Sequence, residues 1–298
     1  MSASYAALRA AMWLASLPPL GAARALGRYL GRLGLRLDSR HREIVLSNLA
    51  ASFPEKDQGW VERTAAACFA HLGQVALEIP RLVRLSPREV LARTRHHGLE
   101  HLEAAQAKGR GVLLLTGHIG NWEWASLASG LVVKGACLVA RPLDWPPAEK
   151  LVNYWRTKSG NTVAPKSRSA RQLVRELKRN GIVATLLDQN VDWYDGEWVD
   201  FFGRPACSNK GLALLAMHAK APVLTYHNFR AVDGLFDVFF GPEIPLVETG
   251  DKTRDVWDNT QNYTNALERI IRQKPEQWFW MHQRWKTKPF HAWPRESS

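Results

Sequence analysis

The chain has 298 residues, 46% of them hydrophobic, so it is long enough to bury a sizeable core and is not a disordered tail. A formal net charge of +12 favours acidic partners: phospholipid headgroups, phosphorylated glycolipids, acidic carrier proteins or nucleic acid. The charge alone does not choose among these partners. The three cysteines, Cys68, Cys137 and Cys207, lie far apart, which argues against a disulfide framework and a zinc site. We expect a domain in a reducing compartment, on the cytoplasmic side.

Residues 1–38 have the pattern of a membrane anchor. No acidic residue precedes Asp38, and four arginines recur every fourth position, with four leucines on the opposite side of the predicted helix. These residues are Arg24, Arg28, Arg32 and Arg36, and Leu26, Leu30, Leu33 and Leu37. The pattern predicts a helix lying in an anionic membrane surface, with a solvated amphipathic helix as the alternative.

The segment upstream of this helix is apolar but short. Tyr5 to Leu17 contains Arg9 and ends at a proline pair, so it falls below the roughly 20 residues that cross a bilayer. A shallow or re-entrant anchor is therefore expected, and a cleaved signal peptide ending near Ala23 is the alternative. The 13 tryptophans also suit a lipid-water boundary, although core packing explains about half of them equally well.

Residues 39–298 are predicted to form one catalytic domain of the α/β class, with a largely parallel central sheet flanked by helices. Helical periodicity dominates up to about residue 107, and strands and helices alternate thereafter. The predicted strands are Gly111–Thr116, Val132–Ala140, Ile182–Leu187 and Pro222–Tyr226. The predicted helices after residue 107 are Asn121–Ser129, Arg168–Arg179 and Lys210–Lys220. Ligands bind beyond the carboxyl ends of such strands, and both His118 and Asp188 follow an apolar strand.

The motif with the clearest chemistry is Gly117-His118-Ile119-Gly120-Asn121-Trp122-Glu123. A neutral imidazole takes a proton from an acceptor hydroxyl near neutral pH, and a carboxylate on its other nitrogen fixes the tautomer. We therefore predict His118 as general base and Glu123 as the carboxylate that orients it. On one helix the two side chains would point apart, so they meet only if the helix begins after His118, with Asn121 as its N-cap. The alternative is a buried structural histidine followed by an ordinary helix start.

Four further residues are predicted to bind substrate: Asn121, Arg141, Asp188 and Arg168. The Arg141 guanidinium suits an oxyanion or a phosphate, and a surface salt bridge is its alternative role. Asp188 is expected to orient Arg141 or His118. Arg168 belongs to a basic cluster with Lys166, Arg171 and Arg175, which faces either substrate phosphates, an acidic carrier protein or only solvent. Phe201 and Phe202 either line an acyl channel or pack in the core.

Other site chemistries fit the sequence less well. Asp188, Asn190 and Asp192 begin like a calcium loop, but Trp193 replaces the required glycine and Val199 the closing glutamate, so no metal and no cofactor are expected. No nucleic-acid-binding motif is present in the sequence. A hydrolase that activates water with the same histidine is one rival function, and a non-catalytic membrane-binding module is another.

The motif resembles that of the late acyltransferases of lipid A biosynthesis, a family marked by a histidine and a carboxylate with four intervening residues. The resemblance covers roughly residues 40–288 through an ordered series of segments. These segments are Asn48–Glu55, Arg141-Pro142, Asp188-Gln189, Val199–Gly203, Gly211–Ala216 and Pro275–Lys286.

The resemblance implies an acyl donor on acyl carrier protein or coenzyme A and a lipid acceptor, often the 3-hydroxyl of an acyl chain on a glucosamine disaccharide. Mycobacterial phosphatidylinositol mannoside acyltransferases look similar at the same motifs, so a glycolipid or phospholipid of that type is the alternative acceptor. The resemblance to the lipid A acyltransferases also implies a location at the cytoplasmic face of the cell inner membrane. Neither acyl length nor oligomeric state follows from it.

Overall fold

The computed structural model describes residues 3–166 and 169–288. The helices are α1 (Ala3–Ala15), α2 (Leu20–Leu37), α3 (Ser39–Ser52), α4 (Gln58–Glu78), α5 (Pro87–Leu91), α6 (Leu99–Gln106), α7 (Trp122–Val132), α8 (Pro146–Thr157), α9 (Ala170–Lys178), α10 (Gly211–Ala219) and α11 (Lys252–Gln273). The strands are β1 (Thr94–His97), β2 (Val112–Thr116), β3 (Cys137–Ala140), β4 (Thr162–Pro165), β5 (Ile182–Leu186), β6 (Gly196–Asp200), β7 (Pro205–Asn209), β8 (Val223–Arg230) and β9 (Phe236–Ile244). Two 3₁₀ turns, Ile79–Val83 and Pro275–Gln277, follow α4 and α11.

Within the described residues, seven strands form the central sheet in the order β1-β9-β8-β2-β5-β3-β4, and β6 and β7 pair as a separate antiparallel hairpin. Neighbouring strands of the central sheet are parallel except for β8 and β9. The predicted α/β class with a largely parallel sheet is therefore confirmed. The strands β2, β5, β3 and β4 lie side by side, so their carboxyl ends share one edge of the sheet.

The core lies on both faces of the sheet because successive side chains of a strand point in opposite directions. In β2, Leu113 and Leu115 join the larger core with α3, α4, α9, α10 and α11. Val112 and Leu114 join the other core with α6 and the start of α7. A strand buried on both faces reads as a continuous apolar run, which is why β2 is easy to recognise in the sequence.

Most predicted elements coincide with observed ones, and the main error is at Val132–Ala140. There α7 continues to Val132, and only Cys137–Ala140 is a strand. Both segments are apolar and buried, so the composition of the run does not separate a helix end from a strand. The helix α4 ends at Glu78, since Pro80 has no N–H to continue it.

The N-terminal helix α2 packs along α4 by a face of small residues. An added Cβ at Gly27 or Gly31 would overlap the backbone of Gly73 or Phe69, so these glycines allow the two helix backbones to approach closely. This contact orients the arginines. Arg24 lies only 11% exposed with its Nε 2.5 Å from Glu78 Oε1, whereas Arg28, Arg32 and Arg36 are exposed. The predicted role of Arg24 at a lipid surface is therefore wrong: its guanidinium pairs inside the protein.

The apolar side of the N-terminal helices is exposed. Eight large apolar side chains of α1, α2 and the intervening turn are at least one-third exposed: Trp13, Leu14, Leu17, Leu26, Tyr29, Leu30, Leu33 and Leu37. We call these eight residues the exposed apolar face. Among residues 3–166 and 169–288, no helix has the length and apolar character needed to cross a membrane.

Candidate active site

His118 lies in the loop between β2 and α7, directly beyond the edge of the sheet. The C-terminal segment holds this loop in place, because Phe279 N donates to the His118 carbonyl and Gly120 N donates to the Gln277 carbonyl. Gly120 has a φ of +62°, and a Cβ there would overlap Asn228. The loop conformation therefore requires glycine at this position.

The partner of the His118 ring is Asp188, which follows β5. Asp188 Oδ1 is 3.0 Å from His118 Nδ1, and Oδ2 accepts from the His118 backbone N–H at 2.7 Å. Trp278 Nε1 also donates to Oδ2, at 2.8 Å. Because β2 and β5 are adjacent and parallel, residues 70 positions apart in the chain meet at their ends. The approach is close: a Cβ on Gly117 would lie 3.0 Å from the Asp188 carboxyl carbon.

The charges of this pair make the His118 ring a stronger base than a free imidazole. Burial alone would raise the pKa of Asp188, but His118 and the donated hydrogen bonds lower that pKa to about 2. Burial also opposes protonation of His118, yet the charge and hydrogen bond of Asp188 raise the pKa of His118 above its ordinary value. An ionised carboxylate only accepts, so Nδ1 carries the proton of the neutral ring and Nε2 presents its lone pair.

Glu123 lies in the first turn of α7 and binds α8 instead of His118. Its Oε2 accepts from Trp155 Nε1 at 2.8 Å and from Arg156 Nε at 3.0 Å, and its Oε1 accepts from Arg156 Nη2. The described residues show no hydrogen bond between Glu123 and His118. The predicted contact is replaced by that of Asp188 with His118, although the negative charge of Glu123 still helps to raise the pKa of His118.

Asn121 is the N-cap of α7, as predicted, and is fully buried. Its Oδ1 accepts from Trp124 N at 3.0 Å, and its Nδ2 donates to Glu78 Oε2 at 2.8 Å. Asn228 pairs with both its backbone N–H and its carbonyl. The side chain predicted to bind substrate is thus engaged within the protein and holds the start of the helix.

A cavity of about 1330 Å³ opens at the carboxyl edge of the sheet and is lined by His118, Trp122 and Arg156. The His118 side chain is 20% exposed, and its Nε2 is 3.5 Å from Gln189 Nε2, another lining residue. Much of the remaining wall is apolar. The apolar lining includes Val139, Leu143, Leu173, Val174, Leu186, Leu187, Val191, Leu212, Leu214 and Leu215.

The rim of this cavity is basic. Arg141 lines it, is 75% exposed and pairs with the exposed Asp144 at 2.8 Å. Lys166 and Arg171 also line the cavity. Arg168, predicted to bind substrate, lies outside the described residues. The rim therefore offers exposed cations to a negatively charged group, while the apolar wall suits a hydrocarbon chain.

Sequence reasoning gave no functional role to Arg156, Trp278 or His282. Arg156 falls in an ordinary amphipathic helix, so no local pattern marks it. Trp278 and His282 lie in Pro275–Lys286, a segment that resembles the lipid A acyltransferases, and this resemblance is the signal that could have indicated them. His282 lines the cavity and accepts from Asn190 N through Nε2 at 2.8 Å, and burial chiefly lowers its pKa. In contrast, Phe201 and Phe202 pack in the core beside Trp278, so the core alternative for this pair is confirmed.

Comparisons with known proteins give acyltransferases as relatives of this chain. The sequence profile of the bacterial lipid A biosynthesis acyltransferases matches residues 3–287. A lipid A biosynthesis lauroyltransferase of Escherichia coli K12 is 26% identical over 281 residues, which are 93% of this chain and 90% of that protein. A lipid A biosynthesis palmitoleoyltransferase of the same organism is 25% identical, over 93% of this chain and 89% of that protein.

A relative whose name gives a different acceptor is as similar to this chain as the lipid A enzymes are. A phosphatidylinositol mannoside acyltransferase of Mycobacterium tuberculosis is 28% identical over 280 residues, which are 89% of this chain and 85% of that protein. Identity to the two groups of relatives therefore does not distinguish one acceptor from the other.

Proposed function

This chain belongs to the bacterial lipid A biosynthesis acyltransferase family, and we propose that it transfers a fatty acyl group from a thioester to a lipid hydroxyl with His118 as general base. It is an enzyme of acyl transfer, like its named relatives. The observation that carries the catalytic assignment is the position of the His118 ring. Nδ1 is held by the buried Asp188, and Nε2 borders a large cavity with an apolar wall and a basic rim.

The reaction follows from this geometry. The acceptor hydroxyl oxygen attacks the thioester carbonyl carbon while His118 Nε2 takes the hydroxyl proton. Asp188 keeps the proton on Nδ1 and stabilises the imidazolium that forms. The tetrahedral intermediate then expels the thiolate, which receives the proton from Nε2. The products are an ester and a thiol, so no protein nucleophile is required.

We assign Glu123 a different task from the one its spacing suggests. Its carboxylate holds the Arg156 guanidinium through two hydrogen bonds, and Arg156 lines the same cavity as His118. A fixed cation at this place stabilises the oxyanion of the tetrahedral intermediate. Glu123 thus acts on the reaction through Arg156. The Trp155 indole N–H also donates to the Glu123 carboxylate and helps to fix its position.

The cavity chemistry guides the choice of substrates. The apolar wall accommodates acyl chains, and the basic rim at Arg141, Lys166 and Arg171 suits a phosphate, as found in phosphorylated glycolipids and in both acyl carrier protein and coenzyme A. We propose the 3-hydroxyacyl chain of a lipid A precursor as acceptor, since two of the named relatives act in lipid A biosynthesis. A glycolipid of the phosphatidylinositol mannoside type is the alternative acceptor.

The exposed apolar face supports attachment to a lipid surface, which we place at the cytoplasmic side of the inner membrane. Large apolar side chains gathered on one exposed side commonly mark a membrane or partner surface. Arg28, Arg32 and Arg36 of α2 are exposed on the same helix as the leucines of this face, and arginines near a surface are attracted to anionic headgroups. Residues 1–38 are proposed as this attachment segment, joined to a catalytic domain of residues 39–298.

The decisive experiment follows a labelled acyl group. Purified protein is incubated with labelled lauroyl thioester of acyl carrier protein or of coenzyme A and with a lipid A precursor or phosphatidylinositol mannoside, and products are identified by mass spectrometry. Transfer yields an acceptor lipid heavier by one acyl group. Free fatty acid in place of acylated lipid, with every donor and acceptor, would show a hydrolase and contradict the proposal.

The same assay tests the base. His118→Ala is expected to lower kcat by about 10² to 10⁴, the usual contribution of a general base, with an unchanged melting temperature. His101→Ala is the matched control, because His101 lies on α6 and does not line the cavity. A folded His118→Ala variant with the turnover of the control would refute the assignment.

A further inference from the structure

The catalytic loop is held by a buried carboxylate on α4 as well as by its neighbours in the sheet. Glu78 has a fully buried side chain at the end of α4. Its Oε2 accepts from Asn121 Nδ2 at 2.8 Å and from Arg230 Nη2 at 2.9 Å, and its Oε1 accepts from Arg230 Nη1 and from Arg24 Nε. A single carboxylate thus joins α2, α4, β8 and the loop that carries His118.

The same face of α4 holds the loop at a second point, one residue earlier. His71 lies two turns before Glu78, and its Nε2 is 3.0 Å from the Gly120 carbonyl. Burial chiefly lowers the pKa of His71 to about 4, so this ring is neutral at pH 7 and donates to the carbonyl. Gly120 and Asn121 are therefore both fixed by α4, immediately after His118 and Ile119.

Arg24 is the member of this network that comes from the N-terminal helices. Glycine contacts allow α2 to pack closely against α4. From this position Arg24 pairs with Glu78, and its guanidinium carbon lies 5.5 Å from the centre of the Phe236 ring. Arg230 covers the same ring at 5.0 Å. Two arginines face one carboxylate, so loss of Arg24 leaves a paired Glu78 and Arg230, whereas loss of Glu78 leaves two buried cations.

We propose that Arg24 is a positioning residue for acyl transfer. Through Glu78 and Asn121 it couples the packing of α2 against α4 to the geometry of the His118 loop. This rests on the proposed role of His118 as base. Asn121 begins α7, so a shift of its side chain displaces the turn that precedes it. His118 receives its orientation from Asp188 by both backbone and ring, and a loosened turn weakens both bonds.

The test compares Arg24→Gln with Arg63→Gln, which removes an exposed arginine from α4 and no contact of the loop. Activity is measured with detergent-solubilised acceptor, so that attachment to vesicles does not contribute. Arg24→Gln is expected to lower kcat about tenfold, because small misplacements of a catalytic group are costly, with KM for the acceptor unchanged. Arg24→Lys keeps the charge and one donor and should restore most of kcat.

A second readout does not depend on turnover. We expect NMR titration of the His118 ring to give a lower pKa in Arg24→Gln than in Arg63→Gln, since a weaker bond to Asp188 stabilises the imidazolium less. A purely structural role for Arg24 would lower the melting temperature without moving this titration. If the wild type transfers no acyl group, the proposed function fails, and the titration still decides the coupling.

A further variant keeps the test decisive if Arg24→Gln does not fold. Glu78→Asp retains the negative charge between the two arginines but withdraws the carboxylate from Asn121, and it should also lower both kcat and the pKa of His118. Folded Arg24→Gln or Glu78→Asp with the kcat and His118 titration of Arg63→Gln would overturn the proposal.

Discussion

The His118 loop and the exposed apolar face differ in how tightly the rest of the protein holds them. The loop makes hydrogen bonds with α4, with β8, with Asp188 beyond β5 and with the C-terminal segment. The side chains of the exposed apolar face are accessible to solvent. On the opposite side of α2, glycine contacts and Arg24 attach the helix to α4. A catalytic base needs one fixed geometry, whereas a surface for lipid needs only accessible apolar area.

This comparison predicts where substitutions have large effects. At the loop, single atoms decide the orientation of His118, so isosteric changes should alter rate and pH dependence. At the exposed apolar face, the free energy of binding to lipid is spread over many side chains. Each single substitution should therefore have a small effect on binding. Substitutions in the two regions test this difference.

Asp188→Asn should lower kcat by up to about 10⁴, because the amide no longer fixes the tautomer of His118 or stabilises its imidazolium. His118 acts as a base only when neutral, so in the wild type activity falls as the pH drops through its raised pKa. The variant should shift this acidic limb of the kcat profile to lower pH. An unshifted limb with a folded variant would show that Asp188 does not control His118.

Glu123→Gln should slow turnover by about 10² through a loosened Arg156, comparable to the loss of one oxyanion donor. Arg156→Gln should have a similar effect, and the double variant should be little worse than either, since the two side chains act as one unit. The acidic limb should move less than in Asp188→Asn, because Asp188 contacts the ring and Glu123 does not. Additive losses in kcat would separate Glu123 from Arg156.

Gly31→Ala should lower the free energy of unfolding by about 1–3 kcal/mol, because a methyl group meets the Phe69 carbonyl where α2 crosses α4. Gly21→Ala is the control in the same helix: nothing lies within 4 Å of the added carbon, so this change should stabilise by up to about 1 kcal/mol. Denaturant unfolding measures both. Equal stability of the two variants would argue against the close helix contact.

Replacing Arg28, Arg32 and Arg36 together by glutamine should weaken binding to anionic liposomes by roughly 1 kcal/mol per arginine. Arg24 is left in place because it pairs with Glu78. Salt should screen this contribution, while the part due to the leucines should resist salt. Co-sedimentation at low and high salt, with anionic and neutral lipid, gives the comparison. Indistinguishable binding of wild type and variant in every condition would remove these arginines from the attachment.

The sequence predicted the elements that depend on local pattern. The apolar runs that become β2, β5 and β8 are short, flanked by turn residues and buried, so their type follows from neighbouring residues alone. The position of His118 after β2, the cap at Asn121 and the parallel sheet follow in the same way. The strands β1 and β4 and the hairpin of β6 and β7 were missed because their short, partly polar segments form no such run. The strand β9 was also missed.

Only the tertiary structure decided which carboxylate meets His118. Glu123 is near in sequence, but the helix that begins at Trp122 turns its side chain toward α8. Asp188 is distant in sequence, but strand order brings it to the same edge of the sheet. The fate of Arg24 has the same physical cause: periodicity places it on a stripe with Arg28, and the glycine contact of α2 with α4 turns it inward to Glu78. Local spacing determines which side chains share a face, whereas packing between distant segments determines what that face touches.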